Sequence, residues 1–332
     1  EDVDRDGHPD ITTASHERGS ITVIWGDASS FDGTATTWSI APTIAGLAIA
    51  DLDDDGSLDI ATAVPGSDAV SVLFGQGDRA FNPARQYLAG AGPRAILALE
   101  LDGERPPELV TLNAGDGSVS VLLRLAAQPR TVIGPEPRGV AAGDLNGDGK
   151  LDVAVSLAAR NGLQVLFGDG AGGFTLGPFH PVGGAPYGVA VADFDDDGAL
   201  DLASANSLSD TVAVLFGDGE AGVLSQRVFS TKPEPRSLAV ARNSAGRPTL
   251  GVLSQDSSAV QRIDPLQGDA QVGTPTEWAN GLAVGDLDGD GEDELVYGGS
   301  SGQVGQLATG SGLLLSALWQ GPLRRVAAAV DP

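Results

Sequence analysis

The sequence predicts an all-β fold: a seven-bladed β-propeller of four-stranded antiparallel blades, closed by a C-terminal strand that completes the first blade. Three observations predict it. An acidic motif recurs at intervals of 44–49 residues along all 332 residues. Each copy is flanked by short apolar runs that alternate with period two. Gly (47 residues) and Pro (20 residues) punctuate those runs, as tight turns between short strands require. A repeat of this length with strand-like content indicates blades rather than a helical solenoid.

The motif reads DVDRDGHPD from Asp2, DLDDDGSLD from Asp51, DLNGDGKLD from Asp144, DFDDDGALD from Asp193 and DLDGDGEDE from Asp286. Two worn copies lie between them, ELDGERPPE from Glu100 and ARNSAGRPT near Ala241, the latter uncertain by one residue. The chain is thus read as one domain, 1–332, with blade loops starting near 2, 51, 100, 144, 193, 242 and 286.

Within a unit, a first apolar run precedes the acidic loop (GLAIA at Gly46–Ala50, GVAVA at Gly188–Ala192) and a second follows it (LDLASAN at Leu200–Asn206). A third run ends in Phe-Gly (AVSVLFG at Ala69–Gly75, TVAVLFG at Thr211–Gly217), and a variable fourth finishes the unit. Small Ala and Gly residues in the first run suit inner strands crowded together. The chain begins at a loop with no inner strand before it. It ends in RRVAAAVDP (Arg324–Pro332), which resembles PRGVAAGD at Pro137–Asp144 and is expected to supply that missing strand, removing two open sheet edges.

Composition narrows the function. With 45 acidic and 19 basic residues the formal charge is −26, which repels phosphate backbones and argues against nucleic-acid binding. Apolar runs such as LLLSALW at Leu313–Trp319 fall far short of the ~20 residues of a membrane helix. No cysteine is present, which excludes disulfides, thiolate metal sites and cysteine nucleophiles. Methionine is absent, even at position 1, so the chain is read as a processed or excised piece, with any signal peptide outside it. A monomeric domain is expected.

The intact loops have the chemistry of hard-cation sites. Oxygens at positions 1, 3 and 5 converge, glycine at 6 allows the sharp turn, position 7 offers its carbonyl and position 9 returns a carboxylate, which suits Ca²⁺ better than Mg²⁺. The predicted ligands are Asp2, Asp4, Asp6, His8 and Asp10; Asp51, Asp53, Asp55, Ser57 and Asp59; Asp144, Asn146, Asp148, Lys150 and Asp152; Asp193, Asp195, Asp197, Ala199 and Asp201; and Asp286, Asp288, Asp290, Glu292 and Glu294. Imidazole and thiolate side-chain ligands are missing, so zinc and copper fit poorly. An EF-hand would need an acid at position 12, where Thr13, Thr62, Val155, Ser204 and Tyr297 stand instead. About five Ca²⁺ ions would take the formal charge from −26 to −16. In the Glu100 copy Arg105 replaces the glycine, and the Ala241 copy lacks carboxylates altogether.

These loops, with Phe167-Gly168 and Gly184-Ala185-Pro186, resemble the FG-GAP/VCBS repeat family, which includes the propeller heads of integrin α subunits. The resemblance spans essentially the whole chain. It implies calcium held between the first and second strands of a blade, extracellular, periplasmic or cell-surface placement, and a recognition or adhesion role. It also implies that the inner-strand starts lie on the face opposite the calcium hairpins. That column reads Arg324, Ala45, Arg94, Arg138, Tyr187, Arg236 and Asn280, a basic set on an acidic protein. It suits a carboxylate or sulfate on a glycan or protein partner, unless each arginine serves a neighbouring blade.

Trp278 is the best exposed-aromatic candidate for a sugar, Trp38 and Trp319 are further ones, and Trp25 is expected in the core. His16 and His180 have no evident partners in the sequence. Three histidines and no cysteine make an enzyme a weak reading, although a polysaccharide lyase, or a spacer within a larger surface protein, remains an alternative to a non-enzymatic binding module.

Overall fold

The computed structural model describes residues 2–8, 10–16, 18–26, 31–255, 259–268, 271–273, 279–285, 292–299, 304–307 and 326–327. Two compact units emerge. The first comprises Glu1–Pro137, Gly168–Phe174 and Arg325–Pro332, and the second Arg138–Phe167 and Thr175–Arg324.

The first unit holds three sheets. One contains β1 (Ile11–Ser15), β2 (Ser20–Gly26) and β3 (Phe31–Ser39). The next is β4 (Ala45–Ala50), β5 (Asp59–Val64), β6 (Ala69–Leu73) and β7 (Arg85–Leu88). The third is β8 (Pro93–Leu99), β9 (Glu108–Asn113), β10 (Ser118–Leu123) and the short β11 (Ala126–Ala127) and β12 (Thr131–Val132). The second unit carries β13 (Pro137–Gly143) to β16 (Phe174–Pro181), with β14 (Asp152–Leu157) and β15 (Gly162–Gly168) between them. Then come β17 (Pro186–Ala192), β18 (Asp201–Asn206), β19 (Thr211–Gly217) and β20 (Val223–Ser230). They are followed by β21 (Pro235–Arg242), β22 (Pro248–Ser254), β23 (Ala259–Ile263) and β24 (Gln271–Gly273), and by β25 (Ala279–Gly285), β26 (Glu294–Gly299) and β27 (Val304–Leu307). The C-terminal β28 (Val326–Ala327) returns to the first unit and pairs antiparallel with β1, Thr12 opposite Ala327 and Thr13 opposite Val326.

Apart from β28, which joins β1, and β12, which pairs with β10 beside β11, the strands of each sheet form an antiparallel meander in chain order, so the fold is an all-β propeller type built from small antiparallel sheets. The expected seven complete blades become six among the described residues. Six sheets have four strands or more, and β25–β27 forms a sheet of three.

The strand signals explain the burial. β5, β9, β14 and β18 are buried at every position, which is why their sequences read as nearly unbroken small or apolar runs. The outer β20 is exposed at almost every position and accordingly carries Gln226 and Arg227. Trp25 packs in the core with Ile21, Ile44 and Ile60, as expected. Glycine in the first run is a packing requirement. A Cβ on Gly139 would lie 2.3 Å from the Tyr187 carbonyl oxygen, and one on Gly188 would lie 2.7 Å from that of Arg236. The inner strands β13, β17 and β21 of the second unit therefore touch backbone to backbone.

Candidate metal loops and the arginine–tyrosine stack

Four acidic loops are described in full or nearly so, and they share one hydrogen-bond plan. The position-1 carboxylates of Asp2, Asp51, Asp144 and Asp193 accept the N–H of position 5 at one oxygen, at 3.1–3.2 Å. At the other oxygen they accept the N–H of the position-6 glycine, at 2.8–2.9 Å. Position 5 turns its own carboxylate onto the N–H of position 7, so Asp6 accepts from His8, Asp55 from Ser57, Asp148 from Lys150 and Asp197 from Ala199. Gly7, Gly56, Gly149 and Gly198 sit at φ between +82° and +90°, a region that strongly favours glycine. The backbone thus gathers the side chains before any ion is considered. Carboxylate oxygens of Asp2, Asp4 and Asp6, of Asp51, Asp53 and Asp59, and of Asp193, Asp195 and Asp197 lie within 4.8 Å of one another.

Position 9 does more than the sequence revealed. Asp10, Asp59, Asp152 and Asp201 are buried. One oxygen of each accepts the N–H of position 2, from Val3, Leu52, Leu145 and Phe194, at 2.7–3.0 Å. In three of these the other oxygen accepts, at 2.8 Å, the N–H of Gly26, Gly75 or Gly217 at the end of the third strand. That glycine is the second residue of Phe-Gly, or of Trp-Gly in the first sheet. The dipeptide, noted as a family mark, is the partner of the acidic loop. Burial pushes the carboxyls of Asp59 and Asp201 up to about 6, against the lowering effect of those N–H donors. Asp10 and Glu108 are raised for the same first cause. Asp53 and Asp195 are pushed up by burial and then by the carboxylates beside them, Asp55 and Asp197 foremost.

These shifts carry a sign. A carboxyl raised from 3.8 to about 6 contributes stability in the metal-free protein that is fully present below pH 3.8 and is lost as pH rises through about 6. Each such group is worth on the order of 3 kcal/mol. In EDTA the urea midpoint is therefore expected to fall between pH 4 and 6.5, and Asp201→Asn is expected to flatten that fall. An equal slope in the variant would remove Asp201 as its source.

The worn loops are explained residue by residue. Glu108 still caps the Leu101 N–H from a buried position, but Arg124 bonds Glu104 at 2.5 Å and lies 3.9 Å from Asp102. At the other worn copy, strand pairing resolves the one-residue uncertainty. Eight residues separate the paired Ala50 and Asp59, and seven separate the paired Ala241 and Thr249. The loop is one residue shorter, and the Thr249 hydroxyl donates to the Ala241 carbonyl in place of the carboxylate staple. Of the fifth intact loop, Asp286, Asp288 and Asp290 lie outside the described residues. Glu292 and Glu294 are described, Glu294 as a buried residue opening β26 and Glu292 in an ion pair with Arg262 at 2.7 Å.

The predicted column of inner-strand residues is also partly placed. Arg94, Arg138, Tyr187, Arg236 and Asn280 are each the second residue of an inner strand, respectively β8, β13, β17, β21 and β25. In the second unit Arg138 and Arg236 both stack on Tyr187, their guanidinium carbons 5.5 and 5.4 Å from the ring centroid. Arg236 also pairs with Glu234 at 2.8 Å. Trp278, Arg324 and the side chain of Asn280 lie outside the described residues, as does Trp319. The two unassigned histidines do have partners: His16 Nδ1 lies 2.6 Å from the Ile44 carbonyl, and His180 Nε2 lies 3.0 Å from that of Ala221. These are long-range backbone contacts invisible in a linear reading. Trp38 packs edge-on against Phe81, 4.9 Å between centroids.

Residues 2–62 and 144–204 match the FG-GAP-like repeat. No curated protein matches the sequence. Among solved structures, the chain is similar to a functionally unknown protein from Desulfotomaculum acetoxidans DSM 771, with a TM-score of 0.68 and 13% identity over 96% of this chain and 98% of that one. It is also similar to BBS1N crystallised in complex with ARL6DN, with a TM-score of 0.68 and 12% identity over 93% and 90% of the two chains. A streptogramin B lyase aligns with a TM-score of 0.59 and 12% identity over 82% of each chain. At these identities the likeness is one of fold.

Proposed function

We propose that this protein is a calcium-braced, non-enzymatic recognition module of the cell surface, periplasm or extracellular space, with β25–β27 as the seventh blade. The observation that carries the metal reading is at the Asp193 loop. Oδ1 of Asp195 is buried and has no hydrogen-bond partner, and Asp195 belongs to the cluster with Asp193 and Asp197. A buried carboxylate oxygen without a donor is costly, and the all-oxygen donor set fits Ca²⁺. Asp193, Asp195 and Asp197 would hold the ion there. Asp51, Asp53, Asp55 and Asp59 would do so in the second loop, and Asp144, Asn146 and Asp148 in the fourth. Bound in such a loop, Ca²⁺ supplies the positive charge that lets its carboxylates stay ionised together.

The recognition surface is the stack of Arg138, Tyr187 and Arg236. Two guanidiniums held on one aromatic ring present planar donors suited to a carboxylate or sulfate, on an acidic segment of a protein partner or on an anionic glycan. BBS1N, of similar fold, was crystallised with a protein partner, which favours the protein version. The ring nitrogens of His16 and His180 that contact carbonyls are engaged in the fold, which favours binding over lyase chemistry. Arrays of acidic peptides and sulfated or uronate glycans, probed with the wild type and with Arg236→Ala and Tyr187→Ala, test the surface. At least about tenfold weaker binding in both variants is expected. Retained binding of every ligand found would move the site elsewhere, and release of unsaturated sugar, seen in the ultraviolet, would restore the lyase reading.

A further inference from the structure

The four described loops are not equivalent, because one of them already contains a cation. Arg79 lies in the hairpin between β6 and β7, yet its Nε bonds Asp4 Oδ2 at 2.5 Å and its Nη2 bonds Asp6 Oδ2 at 3.2 Å in the loop preceding β1. The Asp4 side chain is only 4% exposed in this embrace. The guanidinium also lies over the Trp25 ring, its carbon 5.2 Å from the ring centroid. Asp4 and Asp6 are positions 3 and 5, two of the side chains that converge with Asp2.

The place of Arg79 in the repeat makes the contact specific. It stands five residues after Phe74, as Ala221 stands five after Phe216 and Gly172 five after Phe167. All three have left-handed backbone, at φ +63°, +63° and +84°. Ala221 shares an apolar cluster with Leu145, the position-2 residue of the fourth loop. This hairpin position thus packs on a neighbouring acidic loop, and an arginine is found there in one unit only. At the Asp193 loop the nearby Arg247 bonds Asp196, a residue between the ligand positions. In the degenerate third loop, by contrast, Arg124 sits directly on Asp102 and Glu104.

We propose that Arg79 is the resident counter-ion of the first loop, competing with a divalent cation for Asp4 and Asp6, so that this loop binds Ca²⁺ more weakly than the Asp51 and Asp193 loops. The inference rests on the reading of the intact loops as calcium sites. It turns an array of equal sites into a graded one, with a low-affinity first loop whose occupancy would follow the calcium level of the surroundings.

Native mass spectrometry during a Ca²⁺ titration, with Tb³⁺ luminescence excited through tryptophan as a second readout near Trp25, tests it. Arg79→Ala copies the residue found at Ala221 and should fold, and Arg79→Lys keeps the charge. Arg79→Ala is expected to take up its additional ion at a calcium concentration at least about tenfold lower than the wild type, with a matching gain in Trp-sensitised Tb³⁺ emission. Arg79→Lys should stay close to the wild type, and Asp195→Asn should lose one ion whatever stands at position 79. If the wild type binds ions and Arg79→Ala binds them identically, the competition is overturned while the calcium reading stands. If wild type and variants alike bind no ion, the calcium reading itself falls.

Discussion

Chelation of calcium is expected to lower the melting temperature by about 7 °C or more. In the metal-free loops of Asp2, Asp51 and Asp193 three carboxylates share a space in which their oxygens approach within 4.8 Å. Two like charges 4 Å apart repel by ~1 kcal/mol in water and by about 4 kcal/mol at the effective dielectric of a protein surface. An ion bound only by the folded chain stabilises it by about 2.7 kcal/mol when present at a hundredfold its dissociation constant. Even two such sites, those of Asp51 and Asp193, give roughly 5 kcal/mol. At about 2.1 cal/mol/K of unfolding entropy per residue, a chain of 332 residues shifts by roughly 1.4 °C per kcal/mol, so the two sites together give about 7 °C. Scanning calorimetry in calcium, in magnesium and in EDTA measures it. Magnesium should restore little, because it demands a smaller and more regular shell. Superimposable melts in calcium and EDTA would mean that the loops are solvated turns.

How much of this was readable beforehand depends on the range of the interaction involved. The loop scaffold was legible because it is local. Asp2, Asp51, Asp144 and Asp193 bond N–H groups four and five residues ahead, so spacing alone implies convergence. Strand order was legible for a related reason, since β28 and β12 aside each sheet is a meander of neighbours in sequence. Even the return of Val326–Ala327 to β1 left a trace in the likeness of the last segment to an inner strand.

Contacts between units of the repeat were not legible. Arg79 meets Asp4 across 75 residues, and nothing in DRAF distinguishes an exposed turn arginine from one inserted into another loop. The column of inner-strand residues was found, but its pairing through Tyr187 and the bond from Arg236 to Glu234 depend on how adjacent strands lie. The role of position 9 fell between these cases. An acid at that spacing announces a metal ligand, and only the fold shows that its oxygens are turned to backbone donors as well.

That last contact carries the largest expected effect of a single substitution. Asp59 is fully buried, and it accepts 2.8 Å hydrogen bonds from Leu52 N–H and from Gly75 N–H. Asp59→Ala removes the acceptor and leaves two donors buried without partners. Hydrogen bonds to charged groups contribute about 1.5–3 kcal/mol each, and stranded donors cost a similar amount. A loss of ~3–5 kcal/mol is expected in urea denaturation, a large share of the 5–15 kcal/mol that holds a typical domain. Gly75→Ala attacks the same joint from the other strand. Its Cβ would sit 2.3 Å from the Leu58 carbonyl oxygen, so β6 must draw back and the Gly75 N–H with it. A cost of about 2–4 kcal/mol follows from overpacking and the lost bond together. Since both substitutions break one contact, the double variant should cost less than the sum of the singles by at least ~1 kcal/mol. Strict additivity would show that Asp59 and Gly75 act separately. It would also remove the physical reason for finding Phe-Gly and the acidic loop together in the repeat.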